Sequence, residues 1–312
     1  MDGEEDCAMR KTGIVILLLL PALLHAEHVF ELGLHGGIAN WSAQTAYVDK
    51  RIGFQGGAHV YYDYFSPYVI GFRTGVTIDT HNASFGRVSY EDAYSTIDVE
   101  NEQMEIAYSI GDLNERYTMY SVGIPLQIAL TKKGFHFLAG AKAVFPIANS
   151  WKETVKNAAL YVYYPKYDNI VEESYPLAAS RDFEMTQSGK LTLPTVQWWI
   201  ALEAGYTIPL NVNADRHKSY VMIGVYFDYC LTRTSAILNG KESLMMLSDT
   251  RDGFPLQRLM YPVVESQRQG QQLVNNRSLF DIGFKVSYAI TPVASSRRRA
   301  YPCNCLGGVS NP

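Results

Sequence analysis

Charged side chains that recur inside apolar segments are the residues of this chain best placed to do chemistry. Several segments of the 312 residues alternate apolar and other side chains with a period of two, which is typical of two-faced β-strands. The charged residues on the less apolar face form one candidate network: Glu31, Arg73, Lys142, Glu203, Asp228, Asp281 and Lys285. The same alternation adds Asp63, His35, His59 and His136 to that face. Enclosed charges should pair, because a buried unpaired charge is destabilising.

Such a network predicts one of two arrangements. The charges form either a salt-bridged plug or a gated polar pore or proton path, and the pairing rule favours the plug. Arg73, Lys142, Glu203 and Lys285 all fall near the middle of predicted strands, so we expect them to be contiguous.

Ser121 and His136 are the residues of this face that could act as nucleophile and base in a hydrolase. They lie on neighbouring predicted strands, but Ser121 is in mid-strand and His136 is close to a turn. The sequence also lacks a G-x-S-x-G motif. We therefore predict that the chain is not an enzyme and assign no catalytic residue.

The four cysteines do not have the spacing of a metal site. Cys303 and Cys305 form a lone C-x-C near the end of the sequence, where a disulfide would close a small, strained ring. Cys7 is close to the start, Cys230 lies in a predicted strand, and the sequence contains no C-x-x-C pair. We expect no metal and no other cofactor.

Eight segments show the alternation that predicts strands. In the fifth, Phe135 and Phe137 begin an apolar face, while His136 and Gly140 lie on the other face. The predicted strands cover residues 29–39, 52–65, 68–80, 119–130, 135–147, 194–210, 221–231 and 276–290. An even number of strands is expected of single-chain bacterial membrane barrels.

The connections between these strands alternate in length. Short connections at 66–67, 131–134 and 211–219 are separated by long ones at about 40–51, 81–116, 148–193 and 232–275. In outer-membrane barrels the periplasmic turns are short and the outward loops are long. We predict an all-β fold: an eight-stranded antiparallel transmembrane β-barrel with four long extracellular loops and both termini in the periplasm.

The alternative is a soluble sandwich or lipocalin-like barrel with its apolar face inside. The glycine-rich second face and the tyrosines at strand ends disfavour this alternative.

Two of the long connections have unusual compositions. Residues 87–116 contain eight acidic residues and two arginines, which predicts a solvated, partly disordered loop or a weak divalent-cation site. Their spacing is not that of a calcium-binding loop. Residues 160–167 (LYVYYPKY) either extend the fifth strand above the membrane or form an exposed interaction surface.

The first 26 residues have the order of a secretory signal peptide. Arg10 and Lys11 precede an apolar run from Ile14 to Leu24, and Ala26 provides a small residue at the cleavage site. The acidic residues before Met9 make that methionine a candidate initiator, and a buried N-terminal helix is the alternative interpretation. We expect a cleaved signal peptide at 1–26, the barrel at 27–290 and a disordered periplasmic tail at 291–312.

Five segments together resemble a known group of proteins. HVYYDYFSPYVIGFRTGVTI, YSVGIPLQIAL, GFHFLAGAKAVFPI, WWIALEAGYTIPL and YVMIGVYFDYCL resemble, in order and spacing, the outer-membrane β-barrel domains of Bacteroidales bacteria. The resemblance covers about residues 28–290 and implies an N-terminal barrel of the outer-membrane protein A type, without catalytic residues. Members of that group often continue into a periplasmic domain that grips peptidoglycan. Only residues 291–312 follow here, so cell-wall anchoring is not implied.

These observations limit the function. The formal net charge of −4 shows no basic bias toward nucleic acid. We expect a porin-like bacterial outer-membrane protein with a structural or surface-interaction role and a lumen plugged by charged side chains. Its expected partners are outer-membrane lipid and a surface or periplasmic protein. A narrow solute channel or small-ligand binder is the alternative, followed by an enzyme embedded in the barrel.

Overall fold

The computed structural model describes residues 27–45, 47–65, 70–97, 101–170, 180–191, 193–211, 217–232, 243–247, 258–268 and 271–292. Several predicted features lie outside these residues. They are the signal peptide at 1–26, the turn at 66–67, most of the turn at 211–219, and the tail from 293 onward with Cys303 and Cys305.

Eight long antiparallel strands close into a ring. They are β1 (Glu27–Thr45), β2 (Gly53–Phe65), β3 (Ile70–Ile97), β4 (Gln103–Lys132), β5 (Phe135–Tyr164), β6 (Gln197–Asn211), β7 (His217–Cys230) and β8 (Val274–Pro292). Each strand pairs with the next along the chain, and β1 pairs with β8 to close the barrel, so that Phe30 lies opposite Ile290. The predicted eight-stranded barrel is confirmed.

Short connections gather at one end of the barrel. Lys133 and Gly134 join β4 to β5 with φ values of 53° and 85°, which is the backbone of a two-residue type I′ hairpin. The ends of β2 and β6, the start of β1 and the end of β8 lie at this same end, because all these strands are antiparallel. We call this the turn end of the barrel.

Near the turn end, the outer surface of the barrel is apolar. Leu34 and Phe284 are 68% and 73% exposed, and a band of similar residues surrounds the barrel. On β4 the outward residues of this band run from Leu130 to Tyr120, a distance of roughly 34 Å along the strand. At the tilt usual for barrel strands this gives a band about 25 Å tall, the height of the lipid-facing surface of outer-membrane barrels. The fold is a transmembrane β-barrel, and we call this band the apolar belt.

Three strands continue well beyond the apolar belt. β3 extends to Ile97, β4 begins at Gln103, and β5 extends to Tyr164, so most of residues 81–116 and 148–164 is strand. The prediction that 81–116 and 148–193 are loops is therefore wrong in conformation. Residues 160–164 of the aromatic run follow the first of the two predicted alternatives, since they extend β5, whereas residues 165–167 form a turn. Ser180–Gly189 also forms a strand, paired with β5.

In the extended part of these strands, the polarity of the two faces is opposite to that at the apolar belt. Outward positions are now polar, as at Asn114, Arg116 and Lys152, which are exposed. Inward positions are now apolar and buried, as at Leu113 and Val155. A sheet that faces water on one side and its own core on the other should have this pattern. We call the region beyond the apolar belt the head.

The head has its own hydrophobic core. Its sheet has the order Asp49–Arg51, β3, β4, β5, Ser180–Gly189. Segments from the last long connection pack against the inner face: the hairpin of Met245–Leu247 and Arg258–Met260, the 3-10 turn Val263–Glu265, and the pair Gln267–Arg268 and Gln271–Gln272. The shared core includes Phe85, Ile106, Leu160, Leu244, Met260 and Val263, all fully buried. A further short strand, Asn169–Ile170, pairs with the end of β5. No helix of the described residues is long and apolar enough to cross a membrane.

Candidate functional site

The barrel interior holds every residue of the predicted network. Glu31, Arg73, Lys142, Glu203, Asp228, Asp281 and Lys285 are each 9% exposed or less. All seven lie at inward positions of the strands, as the alternation predicts.

Arg73 is the centre of the first group of charges. Its Nε and Nη2 donate to the two carboxylate oxygens of Asp63 at 2.6 and 2.8 Å, and Nη1 donates to Glu203 Oε2 at 2.9 Å. Nη2 also donates to Glu31. Lys285 contacts Glu203 and lies 3.3 Å from Glu31 Oε1. These five residues form the Arg73 cluster, in which a planar guanidinium engages one carboxylate through two parallel hydrogen bonds.

Lys142 is the centre of a second group. Its Nζ lies 2.9 Å from Asp79 Oδ2 and 3.2 Å from Asp228 Oδ2. Asp79 also accepts a hydrogen bond of 2.6 Å from Thr77 Oγ1 and contacts His35 Nε2 at 2.7 Å. Lys142, Asp79 and Asp228 form the Lys142 cluster.

The two clusters are joined through histidines rather than through Lys142 and Glu203. His35 and His59 approach within 3.3 Å through their Nδ1 atoms, and His59 Nε2 lies 3.2 Å from Glu31 Oε1. The expected contiguity of Lys142 with Arg73, Glu203 and Lys285 is thus indirect. The register explains this, because Glu203 lies opposite Leu138, four residues from Lys142.

Each lumen histidine contacts a different carboxylate. His136 Nε2 is 3.4 Å from Glu203 Oε1, and His81 Nδ1 is 2.8 Å from Asp281 Oδ2. The described interior contains six carboxylates, namely Glu31, Asp63, Asp79, Glu203, Asp228 and Asp281. It contains three permanent cations, Arg73, Lys142 and Lys285. Carboxylates therefore outnumber the permanent cations in the described interior, and a histidine lies beside each of four carboxylates.

Two titratable residues of the lumen, Asp79 and His81, are not among the predicted network residues. Asp79 has the same parity as Arg73 on β3, and extending the alternation by three steps would have identified it. His81 lies just past the predicted end of the strand at residue 80, so it was counted with the loop. The aromatic ring of Tyr61 was also missed; Arg73 Cζ and Lys285 Nζ each lie 4.8 Å from its centre.

Inward glycines provide the space for these long side chains. A Cβ added to Gly123 would lie 2.4 Å from Lys142 Cε, and one added to Gly205 would lie 2.4 Å from His136 Nε2. These distances are far shorter than van der Waals contact. A side chain at Gly123 would displace Lys142 and Thr77, and one at Gly205 would also meet the backbone carbonyl of Ile223 at 2.4 Å.

The predicted nucleophile and base do not meet. His136 contacts Thr207 and Glu203, while Ser121 Oγ lies 3.4 Å from His81 Nε2. Ser121, His81 and Asp281 do follow one another in the order of a nucleophile, base and carboxylate. Ser121 is fully buried, however, and does not line the cavity above it, so this arrangement leaves no space for a substrate at Oγ.

Two interior cavities are small. One lies between the clusters, lined by His35, Tyr61, Lys142, Glu203 and Tyr226, and has a volume of about 30 Å³. The other lies between the lumen and the head, lined by Trp41, His81, Tyr117, Gln197 and Cys230, and also has a volume of about 30 Å³. Each has room for a water molecule but is far smaller than a typical ligand pocket. Among the described residues, no group of three His, Cys, Asp or Glu side chains has the arrangement of a metal site.

The head contains a second, separate polar site. Glu115 on β4 and Glu153 on β5 are directly opposite each other, both face inward, and both are fully buried. The backbone N–H of Val263 donates to both carboxyl oxygens of Glu115 at 3.0 and 2.9 Å. The prediction that residues 87–116 form a solvated loop is therefore wrong, since Glu115 holds an inner segment of the head in place.

Burial raises the pKa of both carboxyls. It raises the pKa of Glu115 to about 8, although the Val263 N–H opposes the shift. Burial and the neighbouring Glu115 raise the pKa of Glu153 well above its usual value. The pair therefore retains protons at neutral pH, because two adjacent buried carboxylates cannot both ionise without a large cost.

Comparison with known proteins assigns no family. No family model and no curated protein matches the chain. Seven chains of solved structures match. One is Ail, the attachment invasion locus protein of Yersinia pestis, solved in complex with the heparin analogue sucrose octasulfate. It is 7% identical, with 84% of this chain and 99% of that chain covered, and the TM-score is 0.27. The resemblance to Bacteroidales barrels of the outer-membrane protein A type stays a prediction.

The Arg73 cluster leads to a prediction about stability. Glu203→Gln should lower the free energy of unfolding by about 3–5 kcal/mol, because it leaves buried cations short of a carboxylate. Glu102→Gln, which removes the carboxylate of the outer Glu102–Lys166 pair, is the matched control and should cost less than about 1 kcal/mol. Adding Lys285→Gln to Glu203→Gln should recover much of the loss. Urea titration in lipid vesicles measures all three, and a neutral Glu203→Gln would contradict the pairing.

The carboxyl pair leads to a prediction about pH. The folded head binds a proton at Glu115 more tightly than the unfolded chain does, because the folded pKa is about 8 and the usual value is 4.5. Stability should therefore fall as pH rises from about 4.5 to about 8. Glu115→Gln should flatten this fall and raise the melting temperature at pH 8. Glu105→Gln, at an outward position of β4, is the control. Identical pH profiles for wild type and Glu115→Gln would refute this assignment.

Proposed function

We propose that this protein resides in a bacterial outer membrane and displays its head at the cell surface, in a structural or surface-interaction role. The observation that carries the proposal is the reversal of polarity along β3, β4 and β5. The same strands are apolar outside and charged inside at the belt, then polar outside and apolar inside in the head. The change matches a strand that passes from lipid into water.

The tight packing of charged side chains in the lumen supports a role other than transport. Arg73 and Glu31 are 0% and 1% exposed, and the cavity between the clusters holds about one water molecule. An eight-stranded barrel is just wide enough for its side chains to fill. We propose that the two charge clusters plug the lumen, so that the barrel serves as an anchor for the head.

Hydrogen bonds fix the inner segments of the head against its sheet. The inner segments that cover its sheet are fixed by Glu115 and by Asp92, which accepts hydrogen bonds from Tyr108 and Ser243 at 3.3 and 3.2 Å. Rigid sheets of this kind suit recognition of a partner in a fixed geometry. We propose a surface partner, a protein or lipid, for the outer face of the head.

Surface labelling tests the orientation. In a background with the four native cysteines replaced, Asn114→Cys in the head should react with a membrane-impermeant maleimide on intact cells. Lys133→Cys, in the hairpin at the turn end, should react only after the outer membrane is permeabilised. Labelling of Lys133→Cys on intact cells, or failure of Asn114→Cys to label in a folded protein, would overturn the proposal.

A further inference from the structure

Three basic side chains stand in one cross-strand row on the outer face of the head. Arg51 lies opposite Ser84, Ser84 lies opposite Arg116, and Arg116 lies opposite Lys152. Arg51, Arg116 and Lys152 are exposed, and we call them the basic row. The row ends at Ser188, which lies opposite Lys152, and Lys190 follows two residues later and is also exposed.

Within the described residues, no carboxylate lies within ion-pair distance of these three side chains, although Asp49 is exposed on the same face two residues from Arg51. No ion pair between described residues involves a member of the basic row, and the Arg51 guanidinium donates instead to the neutral Asn114 Oδ1 at 3.3 Å. Arg116 and Lys152 are directly opposite each other, an arrangement that is destabilising for like charges. An anion bound between them would remove that penalty.

The basic row lies a short distance above the apolar belt. The outward apolar residues of β4 end at Tyr120, and Arg116 is four residues further along the strand. That spacing is roughly 13 Å along the strand, and about 10 Å along the membrane normal at the usual strand tilt. Neutral Thr118 and Ser150 fill the position between. The side chains of Arg116 and Lys152 are long enough to reach back into the polar headgroup layer, which begins where the hydrocarbon ends. The Arg51 guanidinium is instead turned away from the belt, toward Asn114.

We propose that the basic row binds phosphate groups on the headgroups of outer-leaflet lipids. Arginine and lysine are the side chains that recognise phosphate, and arginine does so with a fixed fork of donors. The hydroxyls of Ser84 and Ser188, which stand in the same cross-strand row, add hydrogen-bond donors. A lipid is favoured over free phosphate because the row lies directly above the lipid-facing belt. The inference rests on the proposed outward orientation of the head.

Binding in nanodiscs tests the site. Wild-type protein in phosphatidylcholine nanodiscs that contain a minor fraction of diphosphorylated lipid A should retain that lipid, as counted by native mass spectrometry. The double variant Arg116→Gln with Lys152→Gln should bind it about tenfold more weakly or worse. Lys132→Gln with Lys133→Gln removes the same charge at the turn end and should leave binding unchanged. Arg51→Gln alone should give an intermediate loss, and heat-modifiable gel mobility confirms that each variant is folded.

Two further probes separate the possible sources of the interaction. Dephosphorylated lipid A should not be retained above the phosphatidylcholine background, and inorganic phosphate should compete only weakly. Equal retention of the dephosphorylated lipid would show apolar contact alone, and strong competition by phosphate would show a site for the free anion; either result overturns the proposal. So would unchanged binding by the double variant. Because the nanodisc assay does not depend on orientation in cells, its outcome is independent of the maleimide labelling.

Discussion

The hydrogen bonds between the fully buried guanidinium of Arg73 and three carboxylates hold the strands of the barrel together from the inside. Arg73 lies on β3 and binds carboxylates on β1, β2 and β6, so it connects strands on opposite sides of the lumen. A charge in so narrow a space has no bulk water to stabilise it, and only the surrounding carboxylates can offset the cost of burial. Lys285, a second buried cation, contacts two of the same carboxylates, Glu31 and Glu203.

Single strands of this fold also pass from the lipid bilayer into water. β4 presents Ile128 to lipid and Gln127 to the lumen, but 14 residues earlier it presents Asn114 to solvent and Leu113 to a core. One backbone geometry serves both halves because alternation fixes only which residues share a face. The two halves differ in what surrounds their outer face, which is lipid at the apolar belt and water at the head. The head is therefore a conventional half-buried sheet continuous with a membrane barrel, and the basic row lies where the two meet.

Much of the barrel could be predicted from the sequence, because alternation within a strand is a local signal. Parity alone placed Glu31, Arg73 and Lys285 in the lumen, and turn residues such as Lys133-Gly134 marked one end. The head could not be predicted in the same way. Its strands reverse the expected polarity. A register shift between β4 and β5 at Tyr120/Ser121 and a break in their pairing at Gly111 also interrupt the parity.

Sequence patterns also do not predict contacts between residues that are far apart along the chain. Glu115 and Asp92 were interpreted as solvated because acidic residues are rarely buried without partners. Their partners are the Val263 amide, 148 residues from Glu115 along the chain, and Ser243, 151 residues from Asp92. Within the lumen, membership of the network followed from parity. The division into an Arg73 cluster and a Lys142 cluster depends on register between strands, which alternation does not specify.

The proposed plugging of the lumen can be tested by single-channel conductance. If the paired charges plug the lumen as proposed, purified protein inserted into planar bilayers should leave the current at baseline across a range of applied voltages. Insertion would be verified independently by protease protection of the same preparation. Discrete, uniform conductance steps from the wild-type protein would contradict the account and show that the charged interior is a pore.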